Sequence, residues 1–344
     1  MIKKICFFTT HFDFPRQGYL NYFEKILPDN AEAFLFCSES EKENFNTKKI
    51  KKYGYVGNKF SAPFALRNFC KKNNIELVVN LSGMDEAAFT IAFASAFSKT
   101  KGVYWITGNP VYTLKTSLFL ISQFFLERCL VSAKDITEKV RKLLIFKKKV
   151  FNVPLTVDTD FFIPIDKEKC RKKLDINKND KIIIFVGRVQ YQKGSDCLLE
   201  LIKKNSDKKF ILIGDLFDEN YKGEKLDNLV LLPPKSQEEL VEYYGAADLC
   251  VFPSRIEGFG LVPREAMSCG APTIVSDIES LRMIEPAMKI KIDANEAQIA
   301  LDKFFSLSEK QKEELSIEGR QFIIEECSEK NMRSVYLKNF FEIN

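Results

Sequence analysis

The sequence predicts an α/β protein made of two doubly wound parallel sheets, and three observations carry that prediction. Its 344 residues exceed what one hydrophobic core usually organises, so two domains are expected. Short runs of Ile, Val, Leu and Phe alternate with helical patterns along the whole chain, as parallel strands joined by crossover helices do. The segment 153–164, VPLTVDTDFFIP, carries two prolines and neither hydrophobic period, which is how a linker reads. Residues 1–155 then form a first Rossmann-like domain and 156–327 a second, and a last amphipathic helix over about 328–344 is expected to pack back on the first.

In the first half the expected strands are 4–9, 33–36, 76–80, 103–106 and 150–153. In the second they are 181–186, 209–213, 229–232, 249–251 and 272–275. Several are continuous apolar runs, as strands covered on both faces should be. Residues 114–130 read as an apolar helix interrupted by Lys115, Gln123, Glu127 and Arg128. Core packing is its simplest use; with the lysine clusters at 48–52 and 147–149, a peripheral contact with an anionic membrane is the alternative. Helices are expected over 293–305, 309–326 and 330–341.

Composition is that of an ordinary globular chain, 45% apolar and 29% charged. The four-residue apolar stretch near the N-terminus is too short for a secretory signal, and no run reaches the roughly 18 apolar residues of a membrane span. A cytoplasmic location, at most peripheral on the inner face of the membrane, is therefore expected. Nine cysteines without a CxxC pair, beside a single histidine, argue for buried reduced thiols and against a metal site. Residues 1–165 hold 24 Lys and Arg against 15 Asp and Glu, whereas the remainder holds 28 against 32. The basic half suits an acidic partner or reflects a lysine-rich composition. No helix-turn-helix, RNA-binding signature or finger is present, so nucleic acid is not an expected partner.

The chemistry concentrates in residues 251–270, VFPSRIEGFGLVPREAMSCG. A strand leads into a loop holding Glu257, Gly258, Phe259, Gly260 and Leu261; Pro263 suits the first turn of a helix that Gly270 would stop. Ligands of open α/β sheets bind beyond the carboxyl ends of strands, and a helix N-terminus favours a phosphate. Gly258 and Gly260 allow close backbone approach, while Glu257 and Glu265 supply acceptors suited to sugar hydroxyls. Upstream, strand 181–186 runs into Gly187, Arg188 and, after four residues, Lys193 and Gly194. A diphosphate leaving group needs cations, and Arg188 and Lys193 provide them where no metal cluster exists. Asp158 and Asp160 resemble a metal-binding DxD pair, but they sit in the linker with no strand and loop to present them.

These residues resemble the family-4 glycosyltransferases, which are retaining enzymes of GT-B fold. The stretch 186–194, VGRVQYQKG, is similar to the family's phosphate-binding motif; 238–254 is similar to its approach to the site, and Glu257 and Glu265 have its E-x7-E spacing. The linker also resembles the family's interdomain signature. The resemblance implies two Rossmann-like domains facing across a cleft. It implies a nucleotide-diphospho-sugar donor, a saccharide or lipid-linked acceptor, retention of anomeric configuration, and no cofactor or metal. Arg188 and Lys193 would hold the diphosphate, Glu257 the donor sugar and Glu265 the ribose hydroxyls. The backbone of Gly187 and of Gly258 to Leu261 would line the phosphate and sugar. Arg16 and Gly18, in a glycine loop, would face the diphosphate from the first domain.

Two departures stand out. Thr107 and Ser82 occupy places where the family often has histidine, and the only histidine is His11. The family's Gly-Gly after strand 272–275 is replaced by Asp277 and Ile278. Two other readings follow: an inactive sugar-nucleotide-binding subunit, motivated by the missing histidines, and a sugar-nucleotide epimerase on the same fold.

Overall fold

A computed structural model describes residues 2–10, 14–58, 60–81, 85–108 and 121–342, and the side chains of 14–16, 85–86 and 143 are not among the described parts. The chain divides into two compact units, Met1–Leu155 with Met332–Asn344, and Thr156–Asn331.

The first unit runs β1 (Lys4–Phe8), α1 (Phe14–Ile26), β2 (Glu32–Ser38), β3 (Ile50–Tyr55), α2 (Ala62–Asn73), β4 (Leu77–Asn80), α3 (Asp85–Ser95), β5 (Lys101–Ile106), β6 (Leu126–Val131), α4 (Lys134–Leu143) and β7 (Val150–Asn152). Its sheet is parallel, in the order β3-β2-β1-β4-β5-β6-β7. The winding reverses between β1 and β4, and β1 is fully buried beyond its first residue. Two strands were not expected. IKKYGY in β3 is buried only at Ile50 and Tyr55 and is exposed or half-buried between them, as an edge strand is, so Lys51 and Lys52 of the lysine cluster belong to a sheet edge. The expected helix 114–130 is also corrected. Residues 109–120 lie outside the described residues, only Ile121 and Ser122 are helical, and Leu126–Val131 is strand β6 between β5 and β7. A short apolar run carries no period that separates strand from helix, and sheet pairing decided this one.

The second unit runs α5 (Lys167–Lys173), β8 (Ile182–Val186), α6 (Ser195–Lys204), β9 (Lys209–Ile213), β10 (Leu229–Leu232), α7 (Gln237–Ala246), β11 (Leu249–Phe252), α8 (Leu261–Ser268), β12 (Thr273–Ser276), α9 (Glu279–Arg282), β13 (Met288–Ile290), α10 (Ala294–Ser306) and α11 (Glu309–Cys327). The parallel sheet order is β10-β9-β8-β11-β12-β13. This is the doubly wound order whose crevice opens between the first and fourth strands, here β8 and β11. Ser236 and Glu239 form a reciprocal capping box on α7, and Asp293 caps α10. The linker is an ordered part of this unit: Arg320 donates to the carbonyls of Phe162 (3.0 Å) and Thr159 (3.2 Å). Asp158 accepts from the amides of Asp160 and Phe161, the duty of a turn cap.

The last helix, α12 (Glu329–Tyr336), continues as a π-helical turn, Leu337–Phe341, where one uninterrupted helix was expected. The wider turn accompanies two adjacent buried residues, Phe340 and Phe341. Tyr336 and Phe340 meet Trp105 edge-on at 5.7 and 5.4 Å, Phe23 packs on Phe340 at 5.0 Å, and the Ile2 amide donates to the Phe341 carbonyl. All nine cysteines are free and buried, and burial pushes thiols such as Cys129 and Cys197 up to about 12. Among the described residues no helix is long and apolar enough to cross a membrane.

Candidate functional site

At the switch point of the second sheet, the loops following β8 and β11 lie against each other. Gly194 ends the first of them with φ +75°, and a Cβ there would fall 2.1 Å from the Pro253 carbonyl oxygen. Only glycine both adopts that backbone and permits the approach. Arg255 then staples the pair. Its amide donates to the Gln192 carbonyl and its guanidinium to the Tyr191 carbonyl (2.8 Å). Two further bonds, 2.6 and 2.8 Å, reach the carboxylate of Asp196 in the first turn of α6. The same guanidinium lies 3.8 Å from the Tyr191 ring centre. Bidentate pairing with an aromatic stack is what an arginine does and a lysine does not.

The staple brings Lys193 and Glu257 together. Lys193 Nζ lies 2.6 Å from Glu257 Oε1, and the Ser254 hydroxyl donates to the same oxygen at 3.0 Å. Both side chains are about one-fifth exposed, so the pair is partly screened yet reachable from solvent. Arg188 is exposed and makes no ion pair or hydrogen bond through its side chain among the described residues. Of the two expected cations, then, one is bound to the first glutamate and the other is uncommitted.

Beyond Glu257 the chain bends through Gly258 and the buried Phe259 to Gly260, which caps α8 in a left-handed conformation, φ +76°. A Cβ at Gly260 would stand 2.4 Å from Leu281 Cδ2. The amides of the first helical turn, including Leu261, have no acceptor within the helix and carry its positive dipole end. Arg264 is buried beneath this turn. Its guanidinium lies 3.9 Å from the Phe259 ring centre and donates to the carbonyls of Phe259 and Gly260. Burial lowers its pKa to about 10, with the Glu257 charge among the opposing influences. It shapes the loop from below.

Glu265, one turn into α8, is half-buried, and its carboxylate accepts no hydrogen bond among the described residues. Desolvation alone pushes it up to about 7. The two glutamates therefore differ: Glu257 is held by Lys193 and Ser254, while Glu265 is a carboxyl without a partner at the start of a helix.

In the first unit, Arg16 and Gly18 lie within the first turns of α1 and not in a loop, and the side chain of Arg16 is outside the described parts. Gly18 has open space where a Cβ would be. His11 and Ser82 lie outside the described residues; Thr107 follows β5, half-buried. Nearby, Asn80 exchanges two hydrogen bonds with the Trp105 backbone (2.9 and 2.6 Å), tying β4 to β5. Sequence reasoning missed Arg255, Asp196, Tyr191, Ser254 and Arg264. The only signal was the density of cations flanking the glutamate motif.

Residues 166–322 match the family model described as glycosyl transferases group 1. A D-inositol 3-phosphate glycosyltransferase of Segniliparus rotundus is 31% identical over 148 residues, 39% of this chain and 33% of the relative. One of Mycobacterium sp. (strain KMS) is 36% identical over 138 residues, 36% of this chain and 31% of the relative. The chain thus spans about a third of the length of the curated relatives it matches. Among solved structures, a glycosyltransferase of Rickettsia africae superposes with a TM-score of 0.81 at 16% identity, covering 99% of this chain and 98% of that one. HepE of Anabaena, solved in complex with UDP-glucose, gives 0.81 at 15%, covering 96% and 97%. The two parallel-sheet units and these neighbours together establish that the chain has the GT-B fold.

Proposed function

We propose that the chain is a retaining, metal-independent glycosyltransferase that moves a sugar from a nucleotide-diphospho-sugar to a saccharide or lipid-linked acceptor. The observation that carries this reading is the stapled pair of loops at the β8/β11 switch point, with Lys193 on Glu257 and an unpartnered Glu265 opening α8. The group 1 match over residues 166–322 supports it.

In this reading the donor diphosphate lies against Arg188, Lys193, Gly187 and the first turn of α8. The bond from the anomeric carbon to the diphosphate oxygen breaks. The bond to the acceptor oxygen forms on the same face, and the acceptor proton passes to the released phosphate oxygen. Arg188 and Lys193 stabilise the charge that develops there. Glu257, oriented by Ser254, holds sugar hydroxyls, and Glu265 receives those of the ribose. The acceptor is met on the cytoplasmic side, at an anionic membrane face when it is lipid-linked.

Thermal-shift screening against UDP, GDP, ADP and their sugars tests the donor half, because a ligand that binds the folded chain raises the midpoint by mass action. Transfer to an acceptor, with the anomeric configuration of the product read by NMR, tests the rest. No shift with any nucleotide refutes the reading. A shift without transfer to any acceptor favours the inactive binding subunit, which Thr107 in place of the usual histidine motivates.

A further inference from the structure

The amino-terminal edge of the first sheet, opposite the carboxyl ends where ligands of such sheets bind, carries its own surface feature. Three loops there precede the neighbouring strands β5, β6 and β7. Each ends in an exposed apolar side chain: Phe97 is 93% exposed, Phe124 58% and Ile145 63%. The loops are fastened together. Phe97 meets Phe125 at 5.5 Å, Phe124 meets Phe146 at 5.1 Å, and the Ile145 amide donates to Gln123 Oε1 at 3.0 Å. Lys99, Lys147 and Lys148 flank them, exposed and without an ion pair among the described residues.

Phe97 is the anomaly. Its φ is +53°, a left-handed conformation that costs a bulky residue about 1 kcal/mol or more. Its ring touches Phe125 at one edge yet stays 93% exposed, so packing within the chain covers little of it. Its left-handed backbone ends α3, a duty glycine or asparagine performs at less cost, so what lacks an account within the chain is the large exposed ring and not the turn.

We propose that this edge is a docking surface for an anionic lipid bilayer, with Phe97, Phe124 and Ile145 entering the interface and Lys99, Lys147 and Lys148 lying among the headgroups. The apolar groups project singly from separate loops. A fluid interface closes around each of them, whereas a protein partner would need a matching socket for every one. Lysine stems reach outward from an apolar surface to anionic headgroups as this geometry requires. The surface is not the helix expected from sequence over 114–130, whose described C-terminal part is the strand β6. Because this edge lies opposite the carboxyl ends of the same sheet, it anchors the chain without presenting the ligand-binding end of that sheet to the bilayer. The proposal is independent of the acceptor, and its test uses no donor, so its failure leaves sugar transfer standing.

The test is co-sedimentation of the full chain with phosphatidylglycerol/phosphatidylcholine vesicles and with phosphatidylcholine alone. Salt-sensitive binding to the anionic vesicles is expected. Phe97→Gly and Phe124→Ser should each weaken it about tenfold or more, the worth of burying one ring. Lys147→Glu with Lys148→Glu should weaken it at least as much. Phe97→Gly should leave the thermal midpoint equal or higher, since it releases the left-handed strain; a lower midpoint makes Phe97 a structural residue and overturns the argument. Negligible binding to both vesicle types also overturns it, leaving an acidic protein surface as the occupant. So does binding that both ring substitutions leave unchanged.

Discussion

Replacing Glu265 by glutamine separates what burial costs this carboxyl from what it does for a ligand. Desolvation raises its pKa from 4.5 to about 7. The folded chain thus binds the Glu265 proton more tightly than the unfolded chain does. Its favourable contribution is complete below pH 4.5 and is lost as pH rises through 7. At face value the shift corresponds to about 3 kcal/mol of destabilisation when the group is ionised. Water reaching the half-buried side chain lowers that to about 1–2 kcal/mol. Glu265→Gln mimics the protonated acid, so urea midpoints of variant and wild type should nearly coincide at about pH 4, below the unfolded value. At pH 8 the variant should be the more stable by that 1–2 kcal/mol. Nucleotide affinity should move the other way: ribose hydroxyls donate to an ionised acceptor, and the variant should lose roughly tenfold or more at pH 8. A stability difference that is the same at both pH values would refute the desolvation argument. Unchanged nucleotide affinity would refute the ribose assignment.

Other substitutions probe the same region. Arg188→Ala should leave the thermal midpoint within experimental error, because the side chain has no partner to lose, while transfer falls on the order of 10²-fold or more; equal loss of both would place Arg188 in the framework. Gly260→Ala should cost about 1–3 kcal/mol in chemical denaturation, since it adds a left-handed strain to a 2.4 Å clash with Leu281; a neutral outcome means the cap relaxes freely. Arg255→Lys should keep the charge but lose the bidentate contact with Asp196 and the stack on Tyr191, raising the donor KM several-fold with the fold intact by circular dichroism. Wild-type kinetics in that variant would remove the staple from the account.

The sheets were legible where strands are continuous apolar runs, as in KFILI of β9, buried beyond its first residue, and LVLL of β10, an exposed edge; the limits of both agree residue for residue. Strands β3, β6 and β13 were not. The first and last are edges with mixed polarity, and the second, LERCLV, follows an apolar stretch and carries Glu127 and Arg128, so it shows no telling period. In the site, residues adjacent in sequence were readable together because strand, glycine loop and helix start follow one another from Leu249 to Ser268. The Arg255–Asp196 pair was not, because the two residues stand 59 positions apart on separate elements and only sheet order β8-β11 brings them together. The contrast between the two glutamates was also hidden. Spacing makes them look equivalent, but only one receives a lysine.

Because Tyr336 and Phe340 pack on Trp105, the core of the first unit is incomplete while the ribosome is still making the second. Everything from Thr156 to Asn331 must be synthesised before those aromatic residues exist, an interval on the order of ten seconds at ordinary translation rates. During it, Trp105 and Phe23 remain an open aromatic surface on the nascent chain, the kind of exposure on which chaperones act. The second unit is contiguous and has no such wait. The core of the unit that begins first in the sequence is therefore the last to receive all of its side chains.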